Sequence, residues 1–219
     1  MKFDFLAEYW TYYLYGLGST IYFSIFAVLF GICLGVALAL MKLSVFKPFK
    51  WFAIAYINFI RGTPILVQIY IVYFGLFSFG INLADSAAGI AALAINSGAY
   101  VAEIVRAGIE AVDHGQIEAA RSLGMTSAST TRYIVIPQAI KNILPALCNE
   151  FIVVTKNTSM LSIIGIHDLM FNTDTIRGNT MLAFEPLIIA AIIYFTVSYV
   201  ISKLIQILER RLKVSDHRS

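Results

Sequence analysis

The 219 residues carry a formal net charge of +3, with 13% charged and 59% hydrophobic side chains and a mean hydropathy of +0.78. Soluble domains hold roughly 25% charged residues, so this balance excludes an ordinary solvated globule and points to lipid as the surrounding medium. The basic residues sit at segment ends, where they read as positive-inside charges and not as a nucleic-acid patch.

Charge-free runs cover 9–41, 62–84, 86–102 and 186–202, and a spanning helix needs roughly 20 mainly apolar residues. The start, MKFDFLAEYW, lacks the basic region and small-residue cleavage site of a secretory signal, so the first apolar segment is expected to stay. The expected architecture is an all-α integral membrane protein forming one domain over 1–219, with five spans at 20–41, 51–79, 86–107, 140–165 and 184–207. Cys33 and Cys148 both fall in apolar segments and read as small buried thiols.

Within the first span, GICLG at 31–35 suggests close helix packing through small residues. The second span is too long as drawn: about 29 residues at 1.5 Å each exceed a ~30 Å hydrocarbon core. It contains RGTP, 61–64. Proline removes a backbone donor and glycine is a weak helix former, so the helix is expected to break or tilt there. Such a break is tolerated at membrane depth only where it faces protein or a water-filled cavity. Asp85, just before the third span, is expected to cap that helix or to attract cations at its mouth.

Basic residues fix the orientation, because Lys and Arg are retained on the cytoplasmic side. Lys42, Lys47, Lys50, Arg121, Arg132, Lys141, Lys203, Arg210, Arg211, Lys213 and Arg218 share one face, against Lys2 and Arg177 on the other. The amino terminus is therefore expected outside and the carboxyl terminus in the cytoplasm.

Between the third and fourth spans the chain turns polar. EAARSLGMTSASTTRYIVIPQA, 118–139, reads as two short helices, 117–123 and 127–135, broken at Gly124 and closed by Pro137. Gly124 suits a left-handed turn, and Thr126 or Ser127 suits the next N-cap. Ala119 and Ala120 would present a small, flat face, with Glu118 and Arg121 as rim charges. Asp113 and His114 are expected in the preceding loop.

The order Glu118-Ala119-Ala120, three residues, Gly124, nine residues, then Ile134-Val135-Ile136-Pro137 resembles the EAA signature of permease subunits of bacterial ATP-binding-cassette importers; Ile136 stands where that family usually has Leu. RGTPILVQ (61–68), AYVAEIVRAGIEAV (99–112), GQIEAARSLG (115–124), IPQAIKNILPALCNE (136–150) and KNTSMLSIIG (156–165) resemble its polar amino-acid branch, the histidine, glutamine and arginine permeases. The resemblance implies the type I importer permease fold and a bacterial cell-membrane location. It implies a cytoplasmic coupling loop at about 110–139, with Glu118, Ala119, Ala120 and Gly124 docking on the ATPase. The implied partners are ABC ATPase subunits, a second permease copy or homologue, an extracytoplasmic amino-acid-binding protein and membrane lipid. No cofactor is expected in this chain. Gly-Lys, the core of a P-loop, never occurs, so ATP and Mg would be held by the partner ATPase.

Ionisable groups at membrane depth are costly and mark candidate sites. For a free amino acid, Arg61 with the amides of Gly62 and Thr63 would hold the carboxylate, and Asn96 and Tyr100 the amine. The alternative is that Arg61 pairs internally with Glu150. In PALCNEF, Glu150 stands where the family often has a neutral residue, and an Asn-Glu pair resembles the branch handling basic amino acids. An uncompensated carboxylate there favours arginine, lysine or histidine. Asp85 completes the candidate substrate set. Glu103 and Arg106, neighbours on one helix face, and Lys156, expected opposite Glu103, read as packing or gating charges.

His114, His167 and His217 lack ligand spacing, so no metal site is expected. No nucleophile or acid–base constellation is visible, so no catalytic residue is assigned. An ion channel or ion-coupled secondary transporter would use the same charges without a motor, but it leaves the EAA spacing unexplained.

Overall fold

The computed structural model describes residues 3–216. Lys2, His217 and Arg218, and the side chains of Arg210, Arg211 and Lys213, lie outside the described residues. Everything described is helical or connecting loop: α1 Leu6–Leu43, α2 Lys47–Arg61, α3 Ile65–Ser78, α4 Asp85–Glu110, α5 His114–Ser122, α6 Ser127–Thr130, α7 Ile136–Asn157, α8 Leu169–Thr180 and α9 Glu185–Asp216. A π-helical turn, Thr131–Val135, joins α6 to α7, and a 3-10 stretch, Thr158–Ile164, follows α7.

Among the described residues, three helices are long and apolar enough to cross a membrane: Leu6–Leu43, Asp85–Glu110 and Glu185–Ile207. The α2–α3 pair, bent by 110° at its break, makes a fourth if taken as one span. The expected span at 140–165 corresponds to α7, a 22-residue helix that carries Lys141, Asn142, Asn149, Glu150, Lys156 and Asn157. Its polarity keeps it below that threshold. The 38 residues of α1 begin fourteen positions before the expected start and run to ~57 Å, well past a hydrocarbon core.

The centre is α4. In its apolar window 67% of residues are buried, against 11% for α9, so α4 forms the axis and α9 lies at the rim. Small residues make this possible. A β-carbon at Gly31 would come within 3.0 Å of Ser97, and one at Gly35 within 2.5 Å of Val101, so α1 and α4 meet backbone to backbone, as GICLG suggested. α4 also runs antiparallel to α7 and the stretch that follows it: Gly108 abuts Ile143 at one end, and Gly89 abuts Leu161 and Ile166 at the other. Around this axis Phe23, Ala27, Ile69, Leu93, Val154 and Leu161 form one apolar cluster, and Leu38, Ala53, Ile57, Val101 and Ala102 a second. Cys33 is exposed on α1 rather than buried.

Two local expectations are corrected. Pro137 does not close the insert: it occupies the first turn of α7, where a missing N–H is tolerated, and the π turn carries the helix through from Ser127. The first insert helix begins at His114, capped by Asp113, whose side chain accepts from the Gly115 amide at 2.6 Å.

Candidate functional site

The middle of α4 gathers a belt of polar groups. Arg61 ends α2, exposed, with its guanidinium carbon 5.4 Å from the centroid of the Tyr100 ring. Pro64, extended at ψ 137°, separates α2 from α3. Of the two amides at the break, that of Gly62 donates to Asn58 O at 2.9 Å, so it is not free for an anion as expected; that of Thr63 has no acceptor among the described residues. The positive end of α3 opens on the same point.

Asn96 and Tyr100 lie one turn apart on α4, facing this break. Asn96, 5% exposed, donates through Nδ2 to Gln68 Oε1 at 2.9 Å. Gln68 Nε2 in turn donates to Ile60 O (2.7 Å), Thr63 O (3.0 Å) and Thr63 Oγ1 (2.9 Å). Thr63 Oγ1 donates to Phe59 O at 3.0 Å.

Glu150 sits on the other flank of α4. It is 6% exposed and faces Ser97, yet neither Glu150 Oε1 nor Ser97 Oγ has a hydrogen-bond partner. Arg61 and Glu150 both reach the middle of α4 but from different sides, and they form no ion pair. The alternative of an internal pairing is therefore not met.

Glu103 meets the opposite environment. Lys42, at the end of α1, bonds one of its oxygens, and Arg106 bonds the other with Nε at 3.0 Å, while Arg106 also pairs with Glu110. Lys156 does not neutralise it. Because α4 and α7 are antiparallel, Glu103 and Lys156 lie toward opposite ends of the bundle, and Lys156 is exposed. Asp85 is a full helix half away from the belt and does not cap α4; Ala84 holds that position. The Asp85 carboxylate accepts from Tyr73 Oη at 2.9 Å, in the lining of a cavity of about 450 Å³ with Phe74, Phe77 and Asn82.

In the insert, Gly124 adopts φ +84°, as its position between two helices required, and Thr126 accepts from the Ser129 amide. Arg121 Nη1 donates to Met125 O at 2.7 Å and closes the turn. Glu118 and Ala119 are exposed, but Ala120 is 6% exposed and faces the hairpin's own interior, so the outward face is narrower than expected. Gln138 Nε2 donates to Gln116 Oε1 at 2.5 Å and binds the insert to α7.

The residues that sequence reasoning missed are Gln68, Ser97 and Lys42. Gln68 carried a usable signal: an amide within ILVQIYIVYFG is costly at membrane depth unless it is satisfied.

Residues 31–214 match the family of binding-protein-dependent transport system inner membrane components. The chain belongs to this permease family. It is 38% identical to a probable glutamine ABC transporter permease of Bacillus subtilis, over 98% of this chain and all of that one. It is 41% identical to an arginine transport system permease of the same organism, over 92% of each. The crystal structure of an amino acid ABC transporter with histidines is 53% identical, covers 96% of this chain and 100% of its own, and superposes with a TM-score of 0.92. An inward-facing methionine ABC transporter, 17% identical with a TM-score of 0.78, shares the fold. This permease is thus a transport component rather than an enzyme, a multi-pass protein of the bacterial inner membrane within an amino-acid ABC importer.

Proposed function

We propose that this permease moves basic amino acids, arginine, lysine or histidine, and that its own mid-bundle residues select them. The observation that carries the reading is Glu150: a buried carboxylate that faces the Ser97 hydroxyl and has no cation paired with it among the described residues. Burying a charge without a partner is costly, and a cationic ligand side chain removes that cost. Arg61, the Thr63 amide and the α3 N-terminus receive the substrate carboxylate; Tyr100 and Asn96 border the amine. Asp85 draws cationic substrates toward the outer end of α4. One relative is named for arginine and the solved transporter is described with histidines, whereas several others are named for glutamine, so the choice of a basic substrate rests on Glu150.

In this reading residues 1–219 form one permease domain of five spans, with α7 as the fourth, the amino terminus outside and the carboxyl terminus in the cytoplasm. A binding protein delivers the substrate from outside, and a second permease completes the pathway. ATP and Mg stay in the ATPase subunits, which grip Glu118, Ala119 and the Gly124 turn. The helix that leaves the insert at Ser127 continues through the π turn to Glu150, so motion at the ATPase reaches the carboxylate along one element. Glu103, Arg106 and Lys42 fasten α1 to α4.

The test is calorimetric binding of arginine, lysine, histidine, glutamine and glutamate to the purified assembly without its binding protein, for wild type and Glu150→Gln. Binding of a basic amino acid that Glu150→Gln removes supports the reading. A preference for glutamine, or binding indifferent to Glu150, overturns it.

A further inference from the structure

We infer that Gln68 is a positioning residue that holds the α2–α3 break shut and thereby sets where Arg61 stands. The inference rests on the reading of Arg61 as the carboxylate receptor; the clamp itself rests on geometry. Bending a helix by 110° at Pro64 strips the last carbonyls of α2 of their usual donors, and at membrane depth no bulk water replaces them. Gln68 supplies the replacement. It lies one turn into α3, is 3% exposed, and its Nε2 reaches back to Ile60 O, Thr63 O and Thr63 Oγ1. Thr63 Oγ1 passes a hydrogen onward to Phe59 O.

The other end of the same amide anchors the break to the bundle axis. Gln68 Oε1 accepts from Asn96 Nδ2, one turn from Tyr100, the ring beneath Arg61. One side chain therefore joins the end of α2, the start of α3 and the middle of α4. The directions along this relay agree: Asn96 donates, Gln68 accepts at Oε1 and shares its two Nε2 hydrogens among three acceptors, and Thr63 Oγ1 accepts and donates. Arg61 is the residue next to the clamped Ile60 carbonyl, so its backbone position follows the clamp while its guanidinium stays exposed for a ligand.

The experiment measures arginine binding to the assembled transporter for Gln68→Leu in wild-type and Arg61→Ala backgrounds, together with amide hydrogen exchange over 60–68 without arginine. If Gln68 acts through Arg61, Gln68→Leu weakens binding about tenfold in wild type and less than about twofold once Arg61 is gone. Exchange over 60–68 accelerates by about tenfold or more. An equal loss of affinity in both backgrounds overturns positioning through Arg61, and unchanged exchange overturns the clamp. Should wild type bind no arginine, the substrate reading falls, while accelerated exchange still upholds the clamp. Gln68→Glu guards against misfolding of the leucine variant. It keeps the acceptor for Asn96 but sets a carboxylate against the Ile60 and Thr63 carbonyls, and it is expected to accelerate the same exchange.

Discussion

Glu103 and Glu150 are both carboxylates inside an apolar bundle, and their surroundings differ completely. Glu103 holds Lys42 of α1 and Arg106 of its own helix, with Glu110 closing the group. Glu150, more deeply buried, has an oxygen with nothing bonded to it. A paired charge spends its field on neighbours that never leave, so it fastens helices. An unpaired one keeps its field for something that arrives. In the proposed function, the contrast separates charges that build the permease from one that receives the substrate.

The comparison can be broken in several ways, of decreasing size. Glu150→Gln should weaken binding of a basic amino acid by about tenfold to a hundredfold, read by calorimetry, while thermal stability holds or rises because an uncompensated carboxylate is removed. A large loss of stability would make Glu150 a second Glu103. Gly124→Val should cut uptake by about tenfold while ATP hydrolysis continues, because a β-branched residue is strained at φ +84°; amino-acid binding at mid-bundle should be unchanged. Normal uptake with substrate-stimulated hydrolysis would remove the insert from the coupling path. Glu103→Gln should lower unfolding stability by about 1–2 kcal/mol in a denaturation series, with arginine affinity within about twofold. A shift in affinity instead would place Glu103 in the pathway.

Asp168, beyond the 3-10 stretch that follows α7, sharpens the contrast as a third case. It is fully buried but bonded, with the Phe171 amide at 2.9 Å and Tyr194 Oη at 3.3 Å. Burial outweighs these bonds and pushes its carboxyl from an ordinary 3.8 up to about 6. A raised folded-state pKa means that the folded state holds the extra proton. The stability it adds is complete below about 3.8 and is lost as pH rises through about 6. Asp168→Asn, which still caps α8, should flatten that dependence in thermal melts taken from pH 4 to 7. An unchanged profile would show that the carboxyl titrates as if in water.

What the sequence made legible was local. The break at RGTP, the left-handed turn at Gly124, the Thr126 cap and the close packing through GICLG each depend on a few adjacent residues, and each is present. The shape of the polar insert was legible for the same reason, apart from Pro137, whose role depends on which helix it joins, and Ala120, which is buried. The belt was legible only in part. Arg61, Asn96, Tyr100 and Glu150 do gather around the middle of α4, but which face each takes follows from helix rotation. Lys42 as the partner of Glu103, and Gln68 as the partner of Asn96, join segments far apart in the chain. Lys156 was misplaced because two carboxylate–lysine pairings satisfied the composition equally, and only the antiparallel course of α7 chooses between them.

The central claim is that Glu150 holds the positive end of the substrate. Arginine and citrulline differ at that end alone, one charged and one neutral, at nearly equal shape. Their binding to the purified assembly, measured for wild type and Glu150→Gln, isolates the contact. The account predicts that wild type prefers arginine by about tenfold or more and that the variant binds the two alike. An arginine preference that survives in the variant, or no preference in wild type, would contradict it.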